Sequence, residues 1–180
     1  MAAGTAQELV VLLDQDRRPA GTMAKAEVHG TDTPLHLAFS VYLFDSGGRL
    51  LVTRRALGKR TWPGVWTNSC CGHPAPGEDP ADAARRRVAQ ELGLQPARMD
   101  LVLPDFAYRA VDAGGVVEHE VCPVYFAHLD DPEPAPTLDP EEVAEWRWVP
   151  WAVFRTLAAT APWALSPWAV EQVRRLPEAP

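Results

Sequence analysis

Three histidines, two paired acids and a thiol form the chemically richest set in this chain: His29, His36, His73, Glu118, Glu120 and Cys71. Imidazole nitrogens and carboxylate oxygens are ordinary ligands for a divalent transition ion. A thiol beside such an ion ionises more readily and then serves as base or nucleophile. The residue types therefore suit two tasks, holding a metal and moving protons. Any one of these histidines alone would more often be a packed or surface residue. Three of them with two acids at i and i+2 favour a metal site.

That spacing matters because of the element it sits on. Residues 116 to 129 have the pattern of a strand, with Pro123 marking an edge, a bulge or a break. Successive side chains on a strand alternate faces, so Glu118 and Glu120 point the same way and His119 the other. His119 is thus a poor ligand candidate. Residues 9 to 13 and 35 to 44 also read as strands, and Gly47-Gly48 turns the second into another at residues 50 to 54. Asp79-Pro80 starts a helix that Gly93 stops, with Ala84, Val88 and Leu92 on one face and Arg87 and Glu91 neighbours on another. Residues 130 to 140, rich in proline and acids, read as a surface loop. Ser166-Pro167 opens a last helix, in a tryptophan-rich segment read mostly as core or lid packing.

Length and composition bound the rest. A chain of 180 residues that is 47% hydrophobic suits one globular domain. With 17 basic against 24 acidic residues, the net charge of −7 argues against a nucleic-acid binder. The bases are nevertheless clustered, since Lys25, Arg54, Arg55, Lys59, Arg60 and Arg85 to Arg87 all precede residue 90. A local cationic pocket on an acidic protein suits a small anionic substrate. Cys70, Cys71 and Cys122 show no disulfide framework, which points to a reducing compartment. The opening residues lack the pattern of a signal peptide, and no run approaches the ~20 apolar residues that cross a bilayer. The expectation is a cytoplasmic protein with neither membrane nor protein partner.

Around Cys71 the chain reads Trp62-Pro-Gly-Val-Trp-Thr-Asn-Ser-Cys-Cys-Gly-His-Pro. Gly72, Glu78 and the run Arg86-Arg87-Val88-Ala89-Gln90-Glu91-Leu92-Gly93-Leu94 then take the positions of a Nudix box. Arg87 and Gln90 stand where the box has acids, and only Glu91 survives of the helical acid cluster. With these stretches, Leu35-His-Leu-Ala-Phe-Ser, Glu118-His-Glu-Val-Cys-Pro-Val and Pro162-Trp-Ala-Leu-Ser-Pro-Trp, nearly the whole chain resembles type I isopentenyl diphosphate isomerase, a Nudix-fold family of isoprenoid synthesis.

The resemblance implies a fold and a reaction. The fold is α+β, with a mixed sheet between helices. Its single domain divides into an N-terminal strand and metal-binding segment (about 8–37), a Nudix-like core (about 38–150) and C-terminal helices (about 151–176). The reaction interconverts isopentenyl and dimethylallyl diphosphate by adding a proton at one end of an allylic system and removing one from the other, without a flavin. Position by position, His29, His36, His73, Glu118 and Glu120 match a divalent metal site for Mn²⁺, Zn²⁺, Fe²⁺ or Mg²⁺. Glu91 matches the contact to a Mg²⁺ on the diphosphate. Cys71 and Glu120 match the two groups flanking the substrate, with Glu120 as donor and Cys71 as acceptor; Tyr108 matches the tyrosine that assists Glu120. Lys25, Arg55, Lys59 and Arg87 match cations around the diphosphate, and Trp163 an indole facing the hydrocarbon.

The chemistry calls for these types. Protonating an unactivated alkene makes a tertiary cation, which requires an acid, an opposed base, and no stray nucleophile. Two rivals stand beside this reading. One is a Nudix pyrophosphohydrolase, disfavoured by the missing helical acids; the other is a module with a structural zinc, disfavoured by five ligands and few cysteines.

Overall fold

The computed structural model describes residues 8–180; the first seven residues, on which the leader reading largely rests, lie outside the described residues. The strands in chain order are β1 Leu9–Leu13, β2 Pro19–Ala24, β3 His36–Leu37, β4 Phe39–Phe44, β5 Arg49–Arg55, β6 Trp66–Thr67, β7 Cys70–Gly72, β8 Arg98–Leu103, β9 Ala107–Val111, β10 Val117–Val121, β11 Val124–His128 and β12 Val143–Pro150. The helices are α1 Lys25–Val28, α2 Pro80–Leu92, α3 Trp151–Thr160 and α4 Pro167–Val173, with a 3-10 turn at Pro162–Ala164.

Two sheets share the chain. One runs β2-β1-β3-β10-β9; the other runs β12-β5-β4-β11-β8, with β6 on β5 and β7 on β4. The sequence suggests single strands over residues 35–44 and 116–129, and each is in fact two. Both runs cross from the first sheet to the second, at Ala38 and at Cys122-Pro123. They cross side by side: β3 pairs β10 and β4 pairs β11, both parallel, and Ala38 N–H to Val121 O (2.9 Å) and Ser40 N–H to Pro123 O (3.0 Å) carry the ladder over the break. Pro123 cannot donate to a ladder, which locates one of the two breaks.

The register set by that double crossing positions the site. Glu120 lies opposite His36 on β3 and opposite Tyr108 on β9, while Ser40 on β4 lies opposite Cys71 on β7.

Strand β4 is buried on both faces. Phe39, Val41 and Leu43 pack with Ala84, Val88 and Leu92 of α2, whereas Tyr42 and Phe44 pack with Trp151, Phe154 and Trp168 of α3 and α4. The mixed sheet between helices is therefore as expected. Helix α2 begins and ends where the sequence indicates: the Asp79 carboxylate accepts from Ala81 N–H at 2.8 Å, Pro80 occupies the first turn, and Gly93 adopts φ 64°. A Cβ on Gly93 would also stand 2.9 Å from that of Thr137, so both conformation and space require glycine there. Among the described residues no helix is long and apolar enough to cross a membrane.

Candidate active site

Three imidazoles converge on one carboxylate oxygen. Oε1 of Glu120 lies 3.2 Å from His73 Nε2, 3.4 Å from His36 Nε2 and 3.9 Å from His29 Nε2. One ligand atom from each of these four residues lies within 4.8 Å of the others. They come from the end of α1, from β3, from the loop after β7 and from β10.

The donor inventory tests whether a cation fits. His36 Nδ1 sits 2.9 Å from the Pro34 carbonyl, which can only accept, so the proton of a neutral His36 is on Nδ1 and Nε2 presents a lone pair. That lone pair faces a carboxylate. His29 Nε2 and His36 Nε2 are buried and without hydrogen-bond partners. Lone pairs aimed at one point and at an anion are the arrangement a divalent ion satisfies. The residues fit the group.

Electrostatics follows the same geometry. Burial works to raise the Glu120 carboxyl, but the rings of His29, His36 and His73 gathered around it hold it well below the usual range. Burial pushes His73 down to about 4, so this ring is neutral, as a ligand must be. Burial pushes the Cys71 thiol up to about 12, opposed by its hydrogen bonds to Ser40 and Asn68.

Glu118 points into the same cavity but stands outside that four-residue group. Its carboxylate accepts from the Thr61 hydroxyl and from the Tyr108 hydroxyl, the latter at 2.5 Å. The Tyr108 hydroxyl also lies 3.0 Å from Glu120 Oε2, so one phenol proton bridges the two acids. Burial and both neighbouring carboxylates raise Tyr108 well above the ordinary phenol range and keep it protonated. His119 lies on the opposite face of β10 and is absent from the cavity lining, as the alternation requires.

Glu120, Tyr108 and Cys71 line a cavity of about 610 Å³ together with Lys25, Arg55, Lys59, Arg60 and Arg87. The four cations expected from the sequence are therefore brought together with the proton-moving groups. Each has a partner: Lys25 pairs Glu8 at 2.6 Å, Lys59 pairs Glu142 at 2.5 Å, and Arg87 binds Glu142 at 3.0 Å and also Glu91. Arg55 donates to the Thr61 carbonyl at 2.9 Å. Glu91 is buried and also accepts from the Cys70 thiol at 3.4 Å, so the surviving acid of the box is engaged by protein groups. The close packing of this region turns on Gly72, where a Cβ would lie 2.9 Å from Phe39 and 3.2 Å from Arg87.

Trp163 does not join the cavity. It is 85% exposed in the 3-10 turn after α3. The indole that lines the cavity is Trp168, in the last of three Pro-Trp pairs, placed by the first turn of α4. Its N–H donates to Asn68 Oδ1 at 3.0 Å, and its ring lies 5.8 Å from that of Tyr108 and 5.3 Å from the Arg55 guanidinium carbon. Ser166 precedes α4 but makes no side-chain cap; its hydroxyl bonds Thr67 at 2.7 Å instead. Thr61, Asn68 and Ser40 also went unsignalled in the sequence, because small polar residues carry no pattern until their partners are known.

A NUDIX domain model matches residues 34–169. The isopentenyl-diphosphate Delta-isomerase of Frankia alni is 66% identical over 94% of this chain and 88% of its own. That of Mycolicibacterium vanbaalenii is 59% identical over 92% of this chain and 90% of its own. The chain belongs to the isopentenyl-diphosphate Delta-isomerase family. Among solved structures, DR0079 from Deinococcus radiodurans has a TM-score of 0.70 at 19% identity, covering 94% of this chain and 99% of its own. A MutT protein from Methanosarcina mazei has a TM-score of 0.63 at 17% identity, covering 79% and 92% respectively. These two likenesses establish the fold shared by the wider Nudix group.

Proposed function

We propose that this chain interconverts isopentenyl and dimethylallyl diphosphate, with Glu120 and Cys71 as the proton-carrying pair. The observation that carries the reading is the single cavity lined by the half-buried Cys71 thiol, a carboxylate bridged by a phenol proton, and clustered cations. One proton is added to the terminal alkene carbon and another is lost from the carbon on the far side of the cationic centre. The Tyr108–Glu120 pair and Cys71 supply one transfer each, and the direction of isomerisation decides which acts as acid.

The remaining residues take supporting roles. His29, His36, His73 and Glu120 would hold a divalent ion, with Glu118 beside them through Tyr108. When bound, the ion polarises Glu120 and fixes its orientation. Lys25, Arg55, Lys59 and Arg87 bind the diphosphate, and Glu91, bonded to Arg87 behind the cavity, is the acid of the box that would meet a Mg²⁺ carried by it. The face of Trp168 stabilises the cationic centre. A desolvated cation–π contact contributes ~2 kcal/mol, more than tenfold in rate.

Incubation with isopentenyl diphosphate in deuterated water is expected to give dimethylallyl diphosphate carrying deuterium, with no phosphate or pyrophosphate released. Efficient phosphate release without deuterated product would instead establish a hydrolase. The role of Trp168 is tested by substitution. Trp168→Phe should lower kcat more than it raises KM, because the charge its ring faces exists only near the transition state. Trp163→Phe, on the exposed turn, should change neither. Steady-state kinetics on both variants, with thermal unfolding alongside, checks this; a normal kcat in folded Trp168→Phe would remove the cation-facing role.

A further inference from the structure

The Cys71 sulfur is held by two small polar side chains, and the partners of those side chains fix which way every hydrogen points. Cys71 Sγ lies 3.4 Å from Ser40 Oγ on one side; from the Asn68 amide it lies 3.4 Å from Oδ1 and 3.2 Å from Nδ2. Ser40 Oγ receives the Gln172 side-chain N–H at 2.9 Å, and Gln172 Oε1 receives the Tyr42 hydroxyl, also at 2.9 Å. Ser40, Tyr42, Gln172 and Asn68 are all fully buried, at 0% exposure. No solvent competes for these groups.

The observed bonds set the direction. The Tyr42 hydroxyl donates to the carbonyl end of the Gln172 amide, and the N–H end of that amide faces Ser40. An N–H only donates, so Ser40 accepts there and its own single proton is free for sulfur. On the other side the Thr67 hydroxyl and the Trp168 indole N–H, a donor only, both donate to Asn68 Oδ1, at 2.7 and 3.0 Å, and fix which end of that amide is the oxygen. The Asn68 amide protons then have Val41 O and Cys70 O as closer partners, both at 3.0 Å. Sulfur therefore meets an O–H donor from Ser40 and a carbonyl acceptor from Asn68. A second thiol, Cys122, lies 3.3 Å from Ser40 Oγ and competes for the same hydroxyl proton.

We propose that Tyr42, Gln172 and Ser40 are positioning residues for the isomerisation, a one-directional chain of hydrogen bonds that aims the Ser40 hydroxyl proton at Cys71 opposite the Asn68 carbonyl. This rests on the reading of Cys71 as a proton carrier. A sulfur that gains and loses a proton in each turnover needs a donor for its bare state and an acceptor for its protonated one. Thiols form weak, poorly directed hydrogen bonds, so the direction comes from the neighbours. The chain also ties helix α4 to the reacting sulfur, since Trp168 and Gln172 are one turn apart on it.

The test is a double-mutant cycle on Ser40 and Tyr42 with isopentenyl diphosphate as substrate. Ser40→Ala is expected to lower kcat about tenfold, ~1.4 kcal/mol, while leaving KM within about twofold. Tyr42→Phe retains the ring that packs against Trp151 and Phe154, and touches neither sulfur nor substrate. It frees the Gln172 amide to turn, and should lower kcat severalfold with KM unchanged. The double variant should be no slower than Ser40→Ala, because both changes cut one chain. Cys122→Ala removes the competing sulfur and should hold or raise kcat. Thermal unfolding of each variant keeps rate and folding apart, and Tyr42→Phe carries the test if Ser40→Ala folds poorly. A wild-type kcat in folded Ser40→Ala or Tyr42→Phe, or losses that multiply in the double variant, overturns the proposal. If Cys71→Ala itself remains active, the reading of Cys71 fails instead; an inactive Cys71→Ala beside a normal Ser40→Ala rejects the positioning chain alone.

Discussion

Cys71→Ala and Glu120→Gln should each lower kcat by about a thousandfold, within the ~10²–10⁴ range for loss of one general acid or base. The two side chains lie on different strands, β7 and β10, and meet in the same cavity without belonging to the cationic cluster. Removing either deletes a proton-transfer partner and leaves Lys25, Arg55, Lys59 and Arg87 in place, so KM should change far less than kcat. The glutamine keeps the size of Glu120 and an oxygen for Tyr108 but cannot carry the proton, and it weakens the metal set as well. Its loss should therefore be at least as large as that of Cys71→Ala. Cys70→Ala is the control, since that thiol faces Glu91 and does not line the cavity. It should stay within about threefold of wild type, a change of under ~1 kcal/mol. Near-normal turnover in Cys71→Ala or Glu120→Gln would end the assignment of the pair.

The sequence reveals the chemistry of this site better than its architecture. Ligand types and the i, i+2 spacing of Glu118 and Glu120 are local, and alternation along β10 delivers them to one side as expected. The caps of α2 are equally local, because Asp79, Pro80 and Gly93 act within one turn. What stays hidden is tertiary. Nothing in residues 35–44 marks the point at which the chain leaves one sheet for the other, yet that crossing sets His36 against Glu120 and Ser40 against Cys71. The choice between the last two Pro-Trp pairs is of the same kind. Pro162-Trp163 and Pro167-Trp168 are alike as sequence, and only the packing of α4 against Tyr108 and Trp62 decides that Trp168 enters the cavity. Metal sets drawn from side-chain types likewise do not foresee that Glu118 would be engaged by Thr61 and Tyr108 while Glu120 takes all three histidines.

That convergence on Glu120 leads to the second large effect, which is expected on removing the divalent ion. Chelation followed by dialysis should lower turnover at least a hundredfold while leaving the far-ultraviolet circular dichroism unchanged. Folding should survive because the two apolar clusters on either face of β4 need no ligand atom to form. Turnover should not, because Glu120 then faces three uncompensated imidazole nitrogens and is no longer held or polarised for proton transfer. Titrating Mn²⁺, Zn²⁺, Fe²⁺ or Mg²⁺ back in should restore activity and raise the unfolding temperature. An ion at a hundredfold excess over its Kd stabilises the folded state by ~2.7 kcal/mol. His29→Ala removes one ligand at the end of α1 and should blunt that thermal shift, which ties the shift to this site and not to ions carried by the diphosphate. A structural zinc predicts the reverse pattern, with loss of folded signal as soon as the ion is removed. Unfolding on chelation, or full turnover without any ion, would each reject the catalytic role of the histidine set.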